Sequence, residues 1–308
     1  MSFAPRTMRA WQLQERWWIA SPLSVAIETL IRASRVQLRV EGEIPREPVL
    51  FAMNSTHALD FLLLRRTTRR RSVRVLSIAK AKYMHQRLPR LVFQHGRVLP
   101  IGSRGYIIAR DGHALLDRPL EREEYTELRD AVDRGDEKVP ALFRSSRDLV
   151  GWGHDPARLG YAQAVRMTYE DMMRGTVELA ARALEEQCSL HIYPEGTVRS
   201  RLGPGRSGAV QLALALSLPI VPVGLSNAGA VFRPGARGQT FLRFGRPIRL
   251  DEVDGFRPFE DAVEKLHRAR LADMTTQLMQ SISDLLEPPW RHRVAAEQRT
   301  HPERFFTP

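Results

Sequence analysis

The chain predicts an α/β fold: a mixed, largely parallel sheet flanked by helices, in a single domain with an N-terminal amphipathic helix and an inserted segment. Three observations lead there. Short apolar runs of strand length recur at 48–53, 73–79, 98–101, 189–193, 220–225 and 240–244. Stretches with helical spacing alternate with several of them, as parallel strands need long crossovers. Several runs also empty into loops rich in Gly, Ser, Thr and charge, and open α/β sheets hold their ligands at the carboxyl ends of strands.

Residues 19–34 carry Leu23, Ala26, Ile27, Leu30 and Ile31 on one helical face, behind a flank of Arg16, Trp17 and Trp18. Core packing and contact at the headgroup level of a bilayer both fit such a helix. Residues 36–40 alternate as a strand, and 48–53 (PVLFAM) form a buried one. The capping residues Asn54, Ser55 and Thr56 then predict a helix starting near Ala58. Strands follow at 73–79 and 98–101, the second reached through an apolar run at 88–93 and Gly96. Residues 104–167 mix acidic and basic side chains with weak periodicity. They are expected to form an inserted subdomain or lid, since a structureless loop of that length is unusual. Next come a helix at 170–186, a strand at 189–193, a helix at 209–217, strands at 220–225 and 240–244, and an amphipathic helix at 266–286. The resulting organisation is a membrane-contact segment at 1–35, a main domain at 36–290 and a poorly ordered tail at 291–308.

Composition bounds the function. Of 308 residues 43% are hydrophobic, enough for a sizeable core. Lys and Arg total 47 against 35 Asp and Glu, a net charge of +12 that suits nucleic acid, anionic lipid headgroups or acidic carrier proteins. The run 65–71 is basic but lacks interleaved aromatics and matches no nucleic-acid module, so nucleic acid is not an expected partner. Cys188 stands alone, which rules out an intrachain disulfide and any site built from several thiolates. No window offers the roughly 18 uncharged apolar residues of a spanning helix, and the N-terminus lacks the apolar stretch of a signal peptide. A cytoplasmic protein lying on the inner face of the membrane is the expectation.

Chemistry concentrates in loops after apolar strands. In Asn54-Ser55-Thr56-His57-Ala58-Leu59-Asp60, an Asp beside a His can fix its tautomer and leave the other ring nitrogen to take a proton from an alcohol. In Tyr193-Pro194-Glu195-Gly196-Thr197-Val198-Arg199-Ser200, a tight glycine turn places hydroxyl and guanidinium donors where they can meet a phosphate or an oxyanion. A third loop holds Gly96, Gly102, Ser103 and Arg104, and Lys80 with Lys82 adds charge nearby. No Gly-x-Ser-x-Gly elbow is present, so a covalent serine mechanism has no support; the same His and Asp could instead activate water in a hydrolase.

The order of these blocks resembles the lysophosphatidate, or glycerolipid, acyltransferase family. YPEGTVRS at 193–200 is similar to that family's third block, and LPIVPVGL at 218–225, with Pro222 at its centre, to its fourth. The resemblance covers roughly 36–286. It departs in the first block. Read one way, Ser55 stands at the family's His position and His57 at its Ser position. Read the other way, which preserves a usable base and is preferred, Thr56-His57 is kept and two residues are missing before Asp60-Phe61-Leu62-Leu63-Leu64. Val198 is an extra residue before the motif Arg. The resemblance implies an acyl-CoA or acyl carrier protein donor, a phosphate-bearing lipid acceptor, and neither cofactor nor metal. It casts His57 as base and Asp60 as its orienting partner. Gly196 and Thr197 would stabilise the oxyanion, Arg104 and Arg199 would bind phosphate, and Glu195 would bind the acceptor or support the loop. An anionic membrane surface and an acidic carrier protein would be its partners. The alternative is a silent lipid-binding member of the same fold.

Overall fold

The computed structural model describes residue 29 and residues 34–81, 98–136, 138–233, 236–251, 253, 256–260 and 266–291. Its strands are β1 (Arg35–Glu41), β2 (Leu50–Met53), β3 (Arg74–Lys80), β4 (Val98–Ile101), β5 (Cys188–Ile192), β6 (Ile220–Ser226) and β7 (Arg237–Phe244). They form one 7-stranded sheet in the order β1-β7-β6-β2-β5-β3-β4. Every neighbouring pair is parallel except β6 and β7. This is the mixed, largely parallel sheet the sequence predicts.

Burial explains the central apolar runs. β2, β5 and β6 are buried along their whole length because both faces of the sheet are covered. In β2, Leu50 and Ala52 enter one core while Phe51 and Met53 enter the other, the two-residue period of a strand. Each large side chain so buried contributes about 1.5–3 kcal/mol.

The helices are α1 (Asp60–Arg69), α2 (Arg104–Leu116), α3 (Arg122–Arg134), α4 (Pro156–Leu159), α5 (Tyr161–Glu185), α6 (Gly208–Ala215), α7 (Ala228–Val231) and α8 (Arg268–Asp284). α5, α6 and α8 cover one face, where Met173, Val210 and Leu278 join Leu190 and Ile220 in one cluster. α1 covers the other, with Leu63 and Leu64 against Phe51, Val75 and Val221. Among the described residues no helix is long and apolar enough to cross a membrane.

The stretch 104–167 is more ordered than its weak periodicity implies. α2 is capped by the Ser103 side chain accepting from the Tyr106 N–H, and α3 by a capping box between Glu121 and Glu124. These helices meet the start of α5 in a core of their own around Ile107, Leu128, Val132, Leu149 and Tyr161. Inside it Arg147 forks onto the Asp111 carboxylate at 2.9 and 2.6 Å. This core also moves a boundary. The helix expected at 170–186 begins at Tyr161, because Tyr161, Ala164, Val165 and Thr168 extend its buried stripe into the insert. The helix expected near Ala58 starts at Asp60. Apart from Thr29, Ser34 and Arg291, the expected helix at 19–34, the run at 88–93 and the tail at 291–308 lie outside the described residues.

Candidate active site

Parallel pairing sets the carboxyl ends of β2 and β5 side by side, and their two loops build the site. Buried polar side chains lock these loops. The Asn54 amide donates to the Leu225 carbonyl at 2.9 Å and accepts from the Leu225 N–H at 2.7 Å, tying the exit of β2 to β6. Glu195, 2% exposed, accepts the N–H of Ser55 at 3.0 Å and of Gly203 at 2.7 Å. The Arg199 N–H adds a bond to the Ser55 carbonyl at 2.9 Å. Burial raises the Glu195 carboxyl to about 7, against the pull of those N–H donors and of Arg199. Both Glu195 oxygens are thus engaged by backbone, and its place is that of a tie between loops rather than an acceptor-binding group.

The first block differs from expectation. Asp60, the first residue of α1 and fully buried, turns one oxygen back onto the N–H groups of Thr56 and His57, both at 2.7 Å, and the Thr56 hydroxyl at 3.2 Å. Its other oxygen, Oδ1, has no hydrogen-bond partner among the described residues. Burial raises this carboxyl to about 7, opposed by the three donors and reinforced by Glu195. Asp60 therefore does not hold the imidazole as the spacing implied: the N–H and hydroxyl donors of the preceding turn occupy its oxygen instead. His57 instead accepts the Leu59 N–H on Nδ1 at 3.2 Å and stacks on Phe232, with centroids 4.7 Å apart. Burial and then Arg233 lower its pKa, so the ring is neutral at pH 7. With Nδ1 accepting, that hydrogen bond assigns the proton to Nε2, the reverse of the tautomer a base with a free Nε2 needs.

A cavity of about 250 Å³ opens beside these loops, across the ends of β3 and β5. Its walls are mostly apolar, including Phe61, Ile78, Val98, Ile101, Met173 and Phe259; Ser55, Lys80, Thr197, Arg206 and Ser207 supply polar lining. Gly196 turns the loop with φ +65, where a side chain would be strained. A Cβ there would stand 3.5 Å from Lys80 Cε and 3.7 Å from Arg206 Cδ, so two cationic side chains converge on this backbone. Ser207 and Gly208, at the start of α6, line the same cavity and add the positive end of a helix.

Of the residues expected at the site, Gly196 and Thr197 line the cavity; His57, Asp60, Arg104, Glu195, Arg199 and Pro222 do not. Arg104 lies over the Tyr169 ring of α5 and 3.8 Å from Asp133 of α3, because the first turn of α2 faces those two helices. Arg199 is exposed, its stem packed against Gly203. Pro222 is buried within β6, where its carbonyl accepts the Gly245 N–H at 2.9 Å. Lys82 lies outside the described residues. Arg206 went unpredicted; a basic residue in a Gly-rich run just before a helix was its available signal. Among the described residues no group of three or more His, Cys, Asp or Glu is placed to hold a metal ion.

The fold and site define an α/β protein with an apolar cavity and a basic, glycine-turned rim at its strand ends. Residues 144–226 match the family model described as Acyltransferase, a segment running from the insert through α5, β5 and α6 to the end of β6. The matched segment contains the blocks at 193–200 and 218–225, so the resemblance read there agrees with that model at the level of an acyltransferase. A solved structure of the 1-acyl-sn-glycerophosphate (LPA) acyltransferase PlsC from Thermotoga maritima is similar at 12% identity and a TM-score of 0.40, over 87% of this chain and 86% of that chain. No curated protein matches the chain.

Proposed function

We propose that the protein moves a fatty acyl group from acyl-CoA or an acyl carrier protein to a hydroxyl of a lysophospholipid or glycerol phosphate, working at the inner face of a membrane. The observation that carries this reading is the mostly apolar cavity whose lining includes both Thr197 and the converging Lys80 and Arg206. An acyl chain suits the walls, and a phosphate suits the two cations beside the start of α6. Lys80 and Arg206 take the part first given to Arg104 and Arg199. The net charge of +12 supports attraction to anionic lipid and to an acidic carrier protein.

The chemistry is a single displacement. The acceptor hydroxyl loses its proton to a base and attacks the thioester carbonyl. Thr197 and the backbone around Gly196 steady the oxyanion. The thiolate then departs and takes up the proton. In this reading His57 is the base, reached by turning its ring off Phe232. Two features support the turn: the Leu59 contact is long at 3.2 Å, and the buried Asp60 Oδ1 is the acceptor an Nδ1–H needs. Ser55 and Ala58, on either side of His57, already line the cavity.

A second reading, a silent lipid-binding protein, is favoured by the imidazole's present hydrogen bond and by Ser55 facing the cavity instead of a histidine. Acyl transfer from palmitoyl-CoA to lysophospholipids and glycerol 3-phosphate decides between them. Product that disappears in His57→Ala but not in Ser55→Ala supports the transferase. Full activity in His57→Ala removes His57 as base. No product with any donor and acceptor, while fatty acid still binds, supports the silent reading.

A further inference from the structure

We propose that the cavity takes an acyl chain bearing a hydroxyl group, recognised by Ser77 with His191 fixed behind it. The inference rests on the acyl-binding reading of the cavity and names the class of chain it prefers. In β3, Leu76 and Ile78 enter the core under α5 and α6, so Ser77 points to the opposite face, with Ala79. Its register partners are Val98 on one side and His191 on the other, and partners in a sheet share a face. Phe61, Ser77, Ala79, Val98 and Tyr193 all line the cavity. Ser77 therefore sets a hydroxyl among the hydrocarbon surfaces of Phe61, Ala79 and Val98.

The His191 ring is fully buried, with Nδ1 3.0 Å from Ser77 Oγ, and it meets the Tyr193 ring edge to face at 4.5 Å. Its Nε2 has no hydrogen-bond partner among the described residues. Burial pushes the imidazole down to about 3, so the ring is neutral at any working pH. A neutral imidazole engages Ser77 through one hydrogen bond, and a hydroxyl has one donor and two acceptor sites. Whichever partner donates, Ser77 keeps hydrogen-bonding capacity for the cavity. A plain alkyl chain lying across it leaves that capacity dry, whereas a chain hydroxyl can both donate and accept. His191 is a positioning residue here, holding the Ser77 rotamer.

The test is binding of saturated fatty acids and their hydroxylated counterparts, with the hydroxyl position varied, to the full chain and to Ser77→Ala and Ser77→Thr. At one position the hydroxylated chain is expected to bind about five- to tenfold more tightly than the plain one. Ser77→Ala should erase that preference without weakening the plain chain, and Ser77→Thr, which keeps the hydroxyl and suits a strand, should retain it. A wild type that favours the plain chain at every position, or a preference that survives in Ser77→Ala, overturns the proposal while leaving the acyl-binding reading intact. Failure to bind either chain overturns both.

Discussion

Replacing Glu195 with alanine removes the acceptor of two buried donors at once. The N–H groups of Ser55 and Gly203 end on its carboxylate at 3.0 and 2.7 Å, in a residue only 2% exposed. Each buried donor left unpaired costs about 1–3 kcal/mol, so Glu195→Ala should cost about 2–6 kcal/mol. The cost depends on pH in a definite direction. The folded-state pKa is raised, from 4.5 to about 7. Such a group stabilises the fold fully below its unfolded pKa, and that contribution is lost as pH rises through the folded value. The shift amounts to about 3 kcal/mol across that window, an upper figure because Asp60 titrates beside it. The alanine variant lacks this dependence, so its deficit should be largest near pH 5 and smaller by up to about 3 kcal/mol at pH 8. Urea unfolding of both proteins across this range measures it. A deficit below about 1 kcal/mol at pH 5, or one that grows with pH, refutes the assignment of Glu195 as the tie between the loops.

Asn54→Ala breaks both hydrogen bonds to Leu225 and should cost about 2–4 kcal/mol by denaturant unfolding. Ala209→Phe projects a ring into the cavity and should shift donor preference toward shorter acyl chains, read from the products of mixed acyl-CoA pools. Lys80→Ala and Arg206→Ala should each raise the acceptor KM about tenfold or more, whereas Arg104→Ala and Arg199→Ala should leave it within about twofold. Equal effects of all four on steady-state kinetics would return the phosphate to the motif arginines.

The strands were legible in the chain because central parallel strands are buried on both faces, and PVLFAM or LPIVPVGL then has no other use for so much apolar surface. The glycine turn at 196 and the loops at strand ends were legible for the same local reason: a tight turn and a capping residue depend on near neighbours. The inserted helices were less so, since a core shared by residues as distant as Ile107 and Tyr161 leaves each segment only a narrow apolar stripe. The site was legible as a place and only partly as a list of residues. Sequence spacing brings His57 near Asp60, but which atoms meet is settled by competition among donors, and backbone N–H groups took the carboxylate. Arg104, Arg199 and Arg206 are alike in sequence. The tertiary arrangement places Arg206 beside Lys80 over Gly196, while Arg104 lies near Asp133 and Arg199 packs on Gly203. The chain by itself determined the strands and the loops rich in Gly, Ser, Thr and charge at their ends, because those follow from local burial and turns. Tertiary structure alone decided which charges face the cavity, because Lys80 and Arg206 come from separate segments. It alone decided that Ser77 lies against His191, because that depends on register between strands whose paired residues are 114 apart in sequence.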